Sequence, residues 1–152
     1  LITPWNLPLY LLTWKLAPAL AMGNTVVCKP SEYTPMSAFF LADLLNEAAL
    51  PKGVCNFVFG HAKCGQALVS HPEVKAISFT GGSQTGMHIY QQAALQCKKI
   101  SLELGGKNAQ VVFADTNIDK CVEETVRACF LNQGEICLCR SKASLYGLSK
   151  QS

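Results

Sequence analysis

Near the carboxyl end of the chain, Phe130 to Cys139 read FLNQGEICLC, which puts two thiols, an acid and a glycine into one short stretch. A cysteine that follows a glycine turn suits nucleophilic attack on an electrophilic carbon, because the reactive species is the thiolate and a turn leaves it accessible. Cys137 and Cys139 also form a CxC pair that could clip a metal ion. Zinc, however, needs roughly four ligands, and the other donors are scattered cysteines and the three histidines His61, His71 and His88, so no metal site is expected. Free cysteine is often simply buried. Spacing alone leaves the nucleophile and the buried thiol both open.

Three other stretches place chemically useful residues just after hydrophobic runs. In ISFTGGSQTG, Gly81 and Gly82 would let an anion approach the backbone, and the helix that starts near Gln84 would add the positive end of its dipole. The same glycines also suit a plain turn, and the GxGxxG fingerprint is absent. In CKPSE, Lys29 and Glu32 offer an ammonium and a carboxylate that could bond a ribose, or that could be an ordinary solvated pair. In ELGGKN, Glu103 stands beside two glycines, a place for a general base or for a solvated acid.

These residues need strands that end at one edge. Pro8 opens an apolar run that Gly23 stops, which predicts a helix over about residues 8–22, followed by the buried strand TVVCK. Thr34 and Pro35 read as the cap and first turn of a helix through MSAFFLADLLNEAAL, ended by PKG, with VCNFVFG as the next strand. A short helix around KCGQALVSH leads to the strand VKAISFT, then a helix through MHIYQQAAL and the strand KKISLEL. AQVVFAD is a further strand, and Asp115 or Thr116 is expected to cap a helix over IDKCVEETVRACFL. Strands alternating with helices predict an α/β fold with a mainly parallel sheet. The polar SKASLYGLSKQS is expected to be a frayed tail.

Hydrophobic residues make up 49% of the 152 positions and charged residues only 15%, so much of the surface is expected to be covered. A formal charge of +3, with no Lys/Arg cluster, excludes a nucleic-acid partner. Pro8, Lys15 and Pro18 interrupt LPLYLLTWKLAPALAM, which excludes a membrane span or a signal sequence. Eight cysteines, several inside apolar runs such as NTVVCKP, point to free thiols in a reducing compartment and therefore to the cytoplasm. The first residue is Leu1, and LITPWN reads as the end of a strand running into a loop, so the beginning is expected to be cut.

Taken together and in order, PWNLPL, GNTVVCKPSE, ISFTGGSQTG, SLELGGKN and NQGEICLC resemble the NAD(P)-dependent aldehyde dehydrogenase superfamily over about residues 1–141. Within it they look most like the branch that oxidises 2-aminomuconic and 2-hydroxymuconic semialdehydes. The resemblance implies a Rossmann-like, mainly parallel sheet that carries the cofactor, plus the start of a catalytic domain. It divides the chain into a partial NAD-binding domain at 1–104, the nucleophile-bearing start of the catalytic domain at 105–141, and a divergent tail at 142–152.

By the same resemblance the nucleophile is Cys137, the oxyanion donor is the side-chain amide of Asn6, and the base that activates water is Glu103. Cofactor contacts fall on Trp5, Lys29, Ser31, Glu32, Gly81, Gly82 and Gly86, with Gly82 standing where many members have serine. A carboxylate at Glu32 would accept from a free 2′-hydroxyl and repel a 2′-phosphate, which favours NAD over NADP. The substrate implied is a small-molecule aldehyde, and full-length relatives are expected to be homo-oligomers. Only the middle third of such a member is matched. A truncated, inactive product that binds nucleotide or a full-length subunit is the alternative expectation.

Overall fold

A computed structural model describes residues 1–146. They fall into two compact units, Leu1–Leu104 and a second that begins at Gly105.

The first unit alternates helix and strand: α1 Pro8–Ala21, β1 Val26–Cys28, α2 Met36–Glu47, β2 Cys55–Phe57, α3 Ala62–Ser70, β3 Ala76–Gly81, α4 Ser83–Ala94 and β4 Lys99–Leu104. Two parallel pairs form, β1 with β2 and β3 with β4. Ile2 makes parallel bridges to Lys29 on one side and to Phe79 on the other, so the first residues of the chain link the two pairs. Side chains alternate between the faces of a strand, and β3 uses both. Ile77 and Phe79 are buried with Val69 of α3 and with Ile89 and Ala93 of α4. Ser78, pointing the other way, accepts a hydrogen bond from Lys15 of α1. Helices therefore cover both faces, the arrangement a parallel sheet requires. On the α1 side, Leu12, Leu16, Val26, Cys28 and Ala38 form the core. Leu12 is fully buried, and each such side chain contributes about 2 kcal/mol.

The second unit holds β5 Asn108–Phe113, α5 Ile118–Phe130, a short 3-10 turn at Leu131–Gly134, and β6 Arg140–Tyr146, which pairs in parallel with β5. Residues 142–146 are thus a strand rather than part of a frayed tail. Every side chain of β6 is exposed, so no burial period marks it; backbone pairing and an edge-on contact of Tyr146 with Phe113 define it instead. Residues 147–152 of the expected tail lie outside the described residues.

Two helix ends differ from expectation. Asn117, not Asp115 or Thr116, caps α5, its side chain accepting from the Lys120 N–H at 3.0 Å. For α2 the cap position is Pro35, and Thr34 makes no side-chain cap bond. That helix stops at Glu47 because Ala49 adopts a left-handed φ of 56° and the Leu50 N–H reaches back to the Leu45 carbonyl. The eight cysteines are free thiols. Among the described residues, no helix is long and apolar enough to cross a membrane.

Candidate active site

At the carboxyl ends of β1 and β3 the first unit opens into a cavity of about 850 Å3. Carboxyl ends are where parallel sheets take ligands, since each strand there hands over to a loop and then to a helix N-terminus with free N–H groups. Trp5, Lys29, Ser31, Glu32, Gly81 and Gly82 all line it, so six of the seven expected cofactor contacts share one space. A second cavity, of about 960 Å3, opens at the opposite strand ends and contains none of the expected site residues.

The charged side of the cavity is built on the loop after β1. Lys29 is buried; its ammonium donates to the Pro30 carbonyl at 3.2 Å and lies 3.6 Å from Glu32 Oε2. The other carboxylate oxygen of Glu32 lies 3.5 Å from Nδ1 of His61, the cap residue of α3. A hydrogen bond from its own backbone, with Lys29 and His61 beside it, holds the Glu32 carboxyl below its usual range against a smaller opposing effect of burial. Ser31 is buried, and its hydroxyl accepts from the Tyr33 N–H.

The glycine side is built on the turn from β3 into α4. A Cβ on Gly81 would stand 2.5 Å from the Phe79 ring, so this position must be glycine for β3 to keep its buried aromatic. Gly82 is the cap residue of α4, and a Cβ there would meet nothing, which leaves the helix N-terminus open to an approaching anion. The buried hydroxyls of Thr3 and Thr80, both on the cavity wall, have no hydrogen-bond partner among the described residues. Such groups are costly unless something bonds them. Open helix N–H groups, unpaired hydroxyls and a Lys–Glu pair together fit a dinucleotide with its pyrophosphate and ribose.

Gly86, expected to touch the cofactor, does not line the cavity. It is buried inside α4, where a Cβ would fall 2.4 Å from a methyl of Leu104, so its absent side chain sets how closely α4 approaches β4. Asn6 is half-buried in the turn before α1, and Glu103 is exposed near the end of β4 opposite Thr80; neither lines the cavity. Lys15, which the sequence marks only as a break in an apolar helix, is held by a contact with β3. It is buried, donates to Ser78 Oγ at 2.8 Å, and has its pKa lowered by burial while the charge of Glu103 opposes that shift.

Cys137 belongs to the second unit, in the loop between the 3-10 turn and β6. Asn132, Gln133 and Gly134 all take left-handed φ angles, of 51°, 56° and 77°. Such residues cost about 1–2 kcal/mol each when they are not glycine, and strain of this kind collects where a side chain must be presented. The Asn108 side-chain amide donates to the carbonyls of both Cys137 and Cys139, tying the thiol loop to β5. The Cys139 thiol bonds the Leu131 carbonyl instead. Among the described residues, no group of three or more His, Cys, Asp or Glu side chains could hold a metal ion.

Residues 1–145 match the aldehyde dehydrogenase family, and the chain belongs to it. It is 60% identical over 143 residues to the 2-aminomuconic semialdehyde dehydrogenase of Homo sapiens, a match that takes in 93% of this chain and 29% of that protein. Identity to the 2-hydroxymuconic semialdehyde dehydrogenase of Pseudomonas putida is 52% over 139 residues, 90% of this chain and 29% of that protein. The crystal structure of betaine aldehyde dehydrogenase from Staphylococcus aureus in complex with NAD+ superposes with a TM-score of 0.91 at 40% identity, over 95% of this chain and 29% of that one. The chain therefore spans 29% of the length of the curated relatives it matches.

Proposed function

We propose that this chain carries the cofactor cavity and the nucleophile of an aldehyde dehydrogenase that oxidises a semialdehyde to a carboxylic acid with NAD. The observation that carries this reading is the single cavity at the carboxyl ends of β1 and β3, shared by Trp5, Lys29, Ser31, Glu32, Gly81 and Gly82. Residues 1–104 hold the dinucleotide and residues 105–141 begin the catalytic domain. Lys29 and Glu32 hold the adenine ribose, and the carboxylate selects NAD by accepting from a 2′-hydroxyl and repelling a 2′-phosphate. The N-terminus of α4 takes the pyrophosphate. The semialdehyde assignment is supported by the names of the relatives at 52–60% identity. Eight free cysteines support a reducing compartment such as the cytoplasm.

In this reading the Cys137 thiolate attacks the aldehyde carbon and forms a thiohemiacetal. Its oxyanion takes hydrogen bonds from the Asn6 side-chain amide and the Cys137 N–H, each worth about 3 kcal/mol in the transition state. Bound nicotinamide supplies the hydride acceptor. The acyl group is left on sulfur as a thioester, and Glu103 takes the proton of the water that hydrolyses it.

The test is NADH formation by the intact chain with NAD+ and a muconic-type semialdehyde, beside calorimetric binding of NAD+. Binding that weakens in Glu32→Gln, with turnover abolished in Cys137→Ser, is expected. Failure of the intact chain to bind NAD+ at all would remove the reading. A second reading, a product that binds nucleotide without catalysis, is favoured by the exposed Trp14, Phe39 and Phe40 on α1 and α2. NAD+ binding without any NADH would select it.

A further inference from the structure

His61 stands beside the Glu32 carboxylate on the rim of the cavity. It is the cap residue of α3, on the same rim as Lys29 and Glu32, and its Nδ1 lies 3.5 Å from Glu32 Oε1. Lys29 occupies the other oxygen of that carboxylate at 3.6 Å. The carboxylate that would discriminate against a 2′-phosphate is thus bracketed by an ammonium and an imidazole.

We infer that His61 is a pH-dependent specificity residue that relaxes the preference for NAD over NADP when it is protonated. The inference rests on the reading of this cavity as a dinucleotide site. With His61 neutral, Glu32 faces the ribose with one cation to balance it and repels a phosphate on the 2′-oxygen. With His61 charged, the carboxylate is balanced on both oxygens, and a second positive group stands beside the place where the phosphate would lie. A neutral 2′-hydroxyl gains nothing comparable, and it competes with His61 for the same carboxylate oxygen. The ratio Kd(NADP+)/Kd(NAD+) therefore falls on acidification.

The size of the effect is bounded by exposure. The His61 side chain is 86% exposed, so its charge is screened by water and the ratio should change by about two- to fivefold, the worth of an exposed ion pair. The other titratable or charged groups near this rim are Lys29, Glu32 and Tyr33 on the loop after β1, Lys63 and Cys64 on α3, and His88 of α4 on the cavity wall. Of these His88 is the other imidazole, which makes it the necessary control.

NAD+ and NADP+ are titrated calorimetrically into the full chain between about pH 5.5 and pH 8, for the wild type, His61→Gln, His61→Arg and His88→Gln. The wild type and His88→Gln should show the two- to fivefold fall in ratio on acidification, His61→Gln a smaller fall, and His61→Arg a low ratio throughout. The 2′-phosphate titrates too, so the quantity read is the difference in slope between wild type and His61→Gln rather than the slope of either alone. Equal slopes in those two proteins overturn the inference while leaving the dinucleotide site intact. No binding of either dinucleotide overturns both. Independently of any variant, NMR titration of His61 should give a higher pKa in the NADP+ complex than in the NAD+ complex, and equal values would refute it.

Discussion

Gly86 offers a quantitative test of how α4 is seated. A Cβ built on it falls 2.4, 3.1 and 3.3 Å from Cδ2, Cδ1 and Cγ of Leu104, so the whole branched end of that side chain blocks an alanine. In the interior of a helix, alanine is favoured over glycine by about 1 kcal/mol. Overpacking costs about 1–3 kcal/mol, so Gly86→Ala should destabilise by about 1 kcal/mol net. Leu104→Ala deletes all three offending atoms. In that background the same glycine substitution should stabilise by about 1 kcal/mol, the unopposed helix preference. The assay is a double-mutant cycle by urea denaturation, and the expected signature is a change of sign. Because Gln84, Thr85 and His88 of α4 line the cavity, Gly86→Ala should also weaken dinucleotide binding, with Leu104→Ala restoring part of it. An effect of Gly86→Ala that is the same in both backgrounds would refute the account of how α4 packs on β4.

Two further outcomes follow from backbone and burial. Gly134 has a φ of 77°, and a Cβ there would lie 3.2 Å from the Cys129 carbonyl, so Gly134→Ala should lower the stability of the second unit by about 1–2 kcal/mol, seen as faster amide exchange in α5; unchanged exchange would show that the loop is not held by that turn. The Cys28 thiol is pushed up to about 12 from an ordinary 9.0 by burial first and the neighbouring Cys55 second. The unfolded chain then releases this proton near pH 9 and the folded one does not, so the folded state holds more protons and stability falls as pH rises from about 9 to 12, by about 1 kcal/mol at pH 10. Cys28→Ala should flatten that part of the profile, and an identical alkaline slope in the variant would remove Cys28 as its source.

The sharing of one cavity by Lys29, Ser31, Glu32, Gly81 and Gly82 is legible in the sequence because each lies at or just after the end of a hydrophobic strand. Lys29 and Glu32 come directly after β1, and Gly81 and Gly82 end β3 and cap α4. Strand patterning and turn chemistry therefore place them together without any knowledge of remote contacts. Helix ends were less readable where the usual signals are absent or redundant. Ala49 and Cys97 take the left-handed conformation that glycine normally marks, and three adjacent residues, Asp115, Thr116 and Asn117, are all capable of capping α5. The strand at Arg140–Tyr146 was missed because neither of its faces is buried, so the alternation on which strand reading depends is not there.

Lys15 shows what a sequence reading discards when it treats a charge only as an exception to a pattern. Its helix averages strongly apolar, and in the sequence the lysine reads only as an interruption of that run. Yet a lysine on the buried side of a helix has to find an acceptor, or burial drives its proton off. Here Ser78 is the acceptor, and it comes from the face of β3 opposite Ile77 and Phe79. Ser78 precedes by two residues Thr80, the register partner of Glu103. A polar residue that interrupts an apolar strand run and a cation that interrupts an apolar helix run are therefore complementary halves of one contact, which joins α1 to β3.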